Sequence, residues 1–404
     1  VAQSTLRIDI DELRVGMYVQ DIFDKNGAFL LSANSKIVNQ GQIDRLKARG
    51  IKNLQIDVDK GVAPERHDSS VTATSEPRVD TDTRENAYFE EIEAARAIHK
   101  ESFSVVRHTL KSARMGNRFS AAEVENTAKQ LTASISRNPD ALASLCQIKG
   151  YDEYTFVHSL NVSILVTSLA KELGYKDDHL IQVGIGGLLH DLGKMKVPES
   201  VLNKPGKYVD WEFNEMKKHP LYGVEILRAV YPGASQTVYR MVEQHHERYN
   251  GSGYPRALKG KQVSEEGLIA AVADVYDALT TDRVYRGAWT PQKALAHIFQ
   301  GCDEDYSRKI VERFTKHLGI YPVGSFVILK SGEMGVVTRA NRGKLMSPFV
   351  TVLFDSHGHK LPKSIDYDLS EMQARKGEAY QIQSSANPKK HRVNPADYLG
   401  KNES

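Results

Sequence analysis

The chain has 404 residues, 40% of them apolar and 26% charged, more than one hydrophobic core usually serves, so two or three folded domains are expected and a disordered chain is excluded. A formal net charge of +3 is close to neutral for this length and argues against a general binder of DNA or RNA polymers. Two cysteines, Cys146 and Cys302, exclude a disulfide framework and suit a reducing cytoplasm, and no run approaches the ~18 consecutive apolar residues of a membrane span.

In chain order, residues 1–61 read as a small α+β domain. "LRIDIDEL" and "GMYVQDIF" alternate as strands do, "SKIVNQGQIDRLKARGI" has a helical period closing on Gly50, and "KNLQIDV" reads as a returning strand. Residues 62–84 are rich in Ser, Thr, Asp and Pro and are expected to form a flexible linker. Residues 85–320 are dominated by helical periodicity, beginning with a long amphipathic helix over 85–116. Ser120 with Glu123 three residues on marks a capped helix start. Three β-rich runs over 321–385 predict a small β appendage, and 386–404 reads as a mobile tail. The expected fold class is mainly α: an all-helical domain, preceded by the α+β unit and followed by the β appendage.

Histidines and aspartates collect in the helical domain. His158 lies in a helix apolar on most faces, and His190 and Asp191 end the apolar run "LIQVGIGGLLHDLGK" where Gly193 is expected to break the helix. His219 precedes Pro220, His245 and His246 are adjacent, and Asp274 interrupts "LIAAVADVYDAL". Singly, each reads as a hydrogen-bonded core residue or a helix-end group. Together they set five imidazoles and two carboxylates against apolar surface, where unpaired polar groups are costly. A shared metal site satisfies them all at once.

Imidazole and carboxylate without cysteine suit Fe, Mn, Co, Ni or Zn rather than a closed structural zinc site. Adjacent residues on a regular helix point about 100° apart, so His245 and His246 are expected to reach two neighbouring ions, with Asp191 able to bridge them. Two ions ~3.5–4 Å apart are a common device for hydrolysing phosphate esters. Lys194, three residues after Asp191, is expected either to neutralise a phosphate or to help orient the nucleophile.

Over roughly 150–325, "HSLNV", "GLLHDLGKMKVPESVLNKPGKY", "MKKHPLYGVEIL", "HHERYNGSGYP" and "AAVADVYDALTTDRVYR" occur in the order that resembles the HD-GYP family of cyclic dinucleotide phosphodiesterases, within the HD phosphohydrolase superfamily. Residues 1–61 resemble the small domain often fused ahead of it. The resemblance implies an HD-type helical fold and two divalent transition-metal ions, Fe or Mn first, with Ni, Co or Zn as alternatives. It implies that His158, His190, Asp191, His219, His245, His246 and Asp274 are the metal ligands, with Asp191 and Lys194 catalytic. Lys194, Arg283, Arg286, Gly253, Tyr254 and Pro255 fall on substrate-binding positions. Without the resemblance, Arg283 and Arg286 read as solvated or paired to Asp282, and Tyr254 as a packed turn aromatic.

The implied reaction opens cyclic di-GMP or 3',3'-cyclic GMP-AMP to the linear 5'-phosphorylated dinucleotide, in bacterial second-messenger signalling. Some members carry a glutamate four residues before the first histidine that adds a third metal; here Tyr154 stands there, and two metals are expected. Open alternatives are an HD phosphohydrolase for another cyclic nucleotide, or a nucleotide-binding signalling adaptor. A homodimer through 85–116 and a signalling-protein partner are likewise left open.

Overall fold

A computed structural model describes residues 5–23, 29–48, 51, 53–57, 60–62, 81–146, 154–282, 287–341 and 343–399. Two units divide at residue 78. In the first, strands β1 (Thr5–Asp9), β2 (Tyr18–Phe23), β3 (Phe29–Lys36) and β4 (Asn53–Asp57) form one sheet in the order β1-β4-β2-β3, and helix α1 (Gln40–Ala48) lies between β3 and β4 in sequence. β4 pairs antiparallel with both β1 and β2, and its alternating Leu54 and Ile56 are fully buried with Ile8, Met17, Val19 and Ile43. The residues expected to form the linker fall, for the most part, outside the described residues.

The second unit opens with α2 (Thr81–Arg114), α3 (Ala121–Arg137) and α4 (Pro139–Leu145). Ser120 caps α3, its hydroxyl accepting from the Glu123 N–H at 3.2 Å, as the spacing predicts. Next come α5 (Tyr154–Glu172) and α6 (Asp177–Leu189), both largely buried, followed by α7 (Glu199–Leu202), α8 (Asp210–Met216), α9 (His219–Val230), α10 (Gln236–Gln244), α11 (Glu265–Thr280), α12 (Pro291–Gln300) and α13 (Arg308–Leu318). The glycines of "GIGGLLHD" set the spacing of the centre. A Cβ at Gly187 would lie 2.6 Å from the Ser163 Cα on α5, and one at Gly186 would lie 2.4 Å from the Met241 sulfur on α10. α6 therefore approaches the α5 backbone directly and seats the Met241 side chain of α10 against its own backbone.

The β appendage has five strands rather than the three runs read from sequence: β5 (Phe326–Leu329), β6 (Met334–Arg339), β7 (Phe349–Phe354), β8 (Lys360–Asp368) and, after α14 (Leu369–Lys376), β9 (Ile382–Ala386), in the order β8-β7-β6-β5-β9. The expected mobile tail is also corrected. Two short 3-10 turns, Pro388–His391 and Pro395–Tyr398, bury Val393, Ala396 and Leu399, and the Arg96 guanidinium of α2 donates to the Ala396 carbonyl at 3.0 Å. Among the described residues no helix is long and apolar enough to cross a membrane.

Candidate metal centre

Five helices deliver the seven candidate ligands to one buried point. His158 comes from the first turns of α5, His190 and Asp191 from the end of α6, His219 from the start of α9, His245 and His246 from the end of α10, and Asp274 from the middle of α11. Gly193 does not act chiefly as a helix breaker: α6 passes into a 3-10 turn, Leu192–Lys196, and a Cβ at Gly193 would lie 1.8 Å from the His219 carbonyl oxygen. That contact explains the glycine. It brings the His190–Asp191 corner against the first turn of α9.

Donor atoms fall into two groups. Asp191, His219, His245 and His246 offer atoms within 4.8 Å of one another, and so do His158, His190 and Asp274. Asp191 belongs to both sides. Its Oδ1 is 3.4 Å from His219 Nε2 and 3.7 Å from His245 Nε2, while its Oδ2 is 3.4 Å from His190 Nε2 and 3.6 Å from His158 Nε2. Asp274 also spans the seam, with Oδ1 3.1 Å from His158 Nε2 and Oδ2 3.6 Å from His246 Nδ1.

The adjacent histidines are not split between the groups as a regular helix would split them. α10 ends at Gln244 with His245 as its cap, and the two rings lie 4.2 Å apart and share one group.

The second ring nitrogens reveal a supporting layer. His190 Nδ1 lies 2.8 Å from the Gly187 carbonyl, His219 Nδ1 2.7 Å from that of Met216, and His245 Nδ1 3.0 Å from that of Val242. Each Nδ1 must donate its proton to an oxygen that only accepts, which fixes the tautomer and turns an Nε2 lone pair inward. Yet His219 Nε2 and His245 Nε2 stand 3.1 Å apart, and His190 Nε2 stands 3.3 Å from His158 Nε2. In the His219–His245 pair both lone pairs face each other at that distance, which calls for a cation between them. The buried Asp191 Oδ1 also has no hydrogen-bond partner. The residues present fit divalent metal ions.

Electrostatics agree. Burial pushes the pKa values of His245, His246 and His219 down, that of His245 to about 4, so these rings are neutral and able to ligate. Burial opposes ionisation of Asp191, but the Lys194 ammonium and His190 hold its carboxyl well below the usual carboxylate range. His158 differs: burial disfavours its charge, yet Asp274 and Asp277 raise it to about 9.

Asp277 and Asn161 are absent from the sequence reading. Asp277 Oδ2 accepts from His158 Nδ1 at 2.8 Å, and its Oδ1 accepts from the Asn161 amide at 2.9 Å. Both sit three residues beyond a candidate ligand, on the same helix face, and that spacing is the signal that could have found them.

Lys194 Nζ sits 2.6 Å from Asp191 Oδ2, at the edge of the centre. Tyr154 stacks on His158 with ring centroids 5.5 Å apart, and Tyr254 covers His246 at 4.7 Å. Buried Glu247 anchors the loop that carries Tyr254, accepting from the Arg256 and Leu258 amides at 2.8 and 2.9 Å. A Cβ at Gly253 would lie 2.3 Å from the Arg248 nitrogen, so the loop folds back on itself only with glycine there. Pro255 follows across a cis peptide bond. Arg283 and Arg286 lie outside the described residues.

Two family matches cover most of the chain, and they meet near residue 125 rather than at the unit boundary. Residues 126–310 match the HD domain family, and residues 5–124 match a domain of unknown function. Over 371 residues the chain is 36% identical to a cyclic di-GMP phosphodiesterase of Pseudomonas aeruginosa, covering 88% of this chain and 86% of that one. Shorter matches reach a cyclic di-GMP phosphodiesterase response regulator of Xanthomonas campestris, 43% identical over 32% of this chain and 35% of that one. A 3'3'-cGAMP-specific phosphodiesterase of Vibrio cholerae is 34% identical over 40% of this chain and 31% of that one.

Proposed function

The chain belongs to the HD-GYP family of cyclic dinucleotide phosphodiesterases, and from that premise we propose that it opens cyclic di-GMP, or 3',3'-cyclic GMP-AMP, to the linear 5'-phosphorylated dinucleotide in the bacterial cytoplasm. Cyclic di-GMP is the first expectation, because the relative matched along most of its length carries that activity in its name. The observation that carries the reading is the single carboxylate of Asp191 facing two pairs of inward-turned imidazoles, one pair on each oxygen.

His158, His190 and Asp274 would hold one ion and His219, His245 and His246 the other, with Asp191 between them; Fe or Mn suits this donor set. When bound, such a pair polarises phosphoryl oxygens and lowers the pKa of water. The chain's own residues do the rest. The carbonyls of Gly187, Met216 and Val242 hold three rings in one tautomer, so no reorganisation is needed at turnover. Lys194 keeps Asp191 ionised and presents an ammonium where a substrate phosphate would carry its charge. Tyr254 walls the His246 side and restricts water there. Water supplies the oxygen of the new O–P bond as the P–O3' bond breaks, one of its protons passes to the 3'-oxygen, and the phosphate stays on the 5' side. Arg283 and Arg286 are proposed to meet the phosphates.

The test is reconstitution with Mn or Fe and a substrate panel of cyclic di-GMP, cyclic di-AMP and both GMP-AMP linkage isomers, with products separated chromatographically. The expected product is the linear dinucleotide from a guanine-containing substrate. The double variant His190→Ala, Asp191→Ala is expected to lose bound metal and turnover together. Full activity in that variant would refute the assignment.

A further inference from the structure

A second cavity, of about 430 Å³, lies in the same unit as the metal centre and shares none of its candidate ligands. The end of α11, the start of α12, β5, β9 and the turn after β9 enclose it. Thr280, on its wall, follows Asp274 by six residues on α11, about 9 Å further along the helix. The lining is mixed. Trp289, Phe326 and Val393 give an aromatic and apolar wall, while Asp282, Ser325 and Lys389 bring polar groups to it.

Two features of this lining point to a ligand. Ser325 is 3% exposed and its hydroxyl has no hydrogen-bond partner, although it borders open volume. An unpartnered buried hydroxyl on a cavity wall offers a place for a polar atom that the chain does not itself supply. Lys389 places an ammonium at the opening: its side chain is 59% exposed and meets Asp282 at 2.5 Å. Beside it begins α12, ten residues long, with Thr290 and Pro291 in the cavity wall, so the positive end of a helix dipole faces the same space. The volume lies in the range of small-molecule sites.

We infer that this cavity binds a nucleoside monophosphate, its planar heteroaromatic ring against the Trp289–Phe326 wall, a ring or ribose group on the Ser325 hydroxyl, and its phosphate at Lys389 and the α12 N-terminus. The nucleotide identity of the ligand rests on the proposed substrate, of which it is one half; the existence of the site does not. Binding here is distinct from turnover and requires no metal ligand.

The experiment uses the full chain carrying Trp211→Phe, which leaves Trp289 as the sole tryptophan. GMP and guanosine are titrated while indole fluorescence is followed. A saturable change with GMP is expected. Lys389→Met, at an exposed position, should weaken GMP about tenfold and guanosine less than twofold. Ser325→Ala should weaken both several-fold while leaving the melting temperature unchanged or higher, because it removes only an unpaired hydroxyl. No saturable response to GMP overturns the proposal, and so does GMP affinity untouched by both variants, which would put the nucleotide at the metal centre. Cyclic dinucleotide turnover, measured in the same samples, separates this failure from failure of the phosphodiesterase reading.

Discussion

His158 is held by carboxylates at both ring nitrogens, Asp274 on Nε2 and Asp277 on Nδ1, and only the second leaves Nε2 free for a metal. Outer carboxylates of this kind fix ring orientation, and their loss commonly costs 10- to 100-fold in metal affinity. Asp277→Asn is therefore expected to weaken metal binding at least ~10-fold with the helical circular-dichroism spectrum unchanged, read by metal analysis after dialysis against a graded chelator. Retention of full metal content would remove Asp277 from the centre. The seven donors were legible because their types are rare on apolar helices and their motifs occur in order. Asp277 was less legible: its three-residue spacing from Asp274 puts it on the same helix face, but its partner, His158, is supplied only by the packing of α5 against α11. The backbone carbonyls that orient three of the rings leave no mark in sequence at all, since every residue has one.

At the scale of elements, one buried carboxylate fastens α2 to α3. Glu91, 7% exposed, accepts from the Ser134 hydroxyl at 2.6 Å and from two guanidinium nitrogens of Arg137 at 2.6 and 3.0 Å. Burial pushes its pKa up, but these donors outweigh that and hold it below the ordinary 4.5. A carboxyl depressed in the folded chain adds stability above its unfolded pKa, and that stability is lost as pH falls through the folded value. Glu91→Ala is expected to cost about 1–2 kcal/mol at pH 7, since it strands the buried Ser134 hydroxyl while the half-exposed Arg137 head returns to water, measured by urea unfolding. Glu91→Gln should narrow its deficit relative to the parent chain as pH drops below 4.5. A deficit that stays constant down to pH 3 would show that the ion pair contributes nothing. Strands fared unevenly at this scale. β7 announces itself as "FVTVLF", whereas β8, "KLPKSIDYD", lies at the sheet edge with Lys360, Lys363 and Pro362, the residues that edge strands use and that sequence patterns read as loop.

Across the whole molecule, apolar residues partition cleanly. Ile8, Met17, Leu54 and Ile56 build one core, and the cores around α5, α6 and α11 draw on none of the first unit's residues. The helical part could be read from sequence because its period persists over many turns; Val393 and Leu399 of the last segment could not, since two isolated apolar residues carry no period. Every candidate ligand and every described bond that orients one lies between His158 and Thr281, within the second unit. Residues 79–404 alone are therefore expected to bind the same number of metal ions per chain as the full protein, and to turn over the cyclic dinucleotide with kcat/KM within about twofold, a change of under ~0.5 kcal/mol in transition-state stabilisation. Calorimetry of the full chain should then resolve a transition absent from the fragment, because units with separate cores need not melt as one. Loss of metal from the fragment, with its helices intact by circular dichroism, would mean that residues 1–78 contribute to the centre.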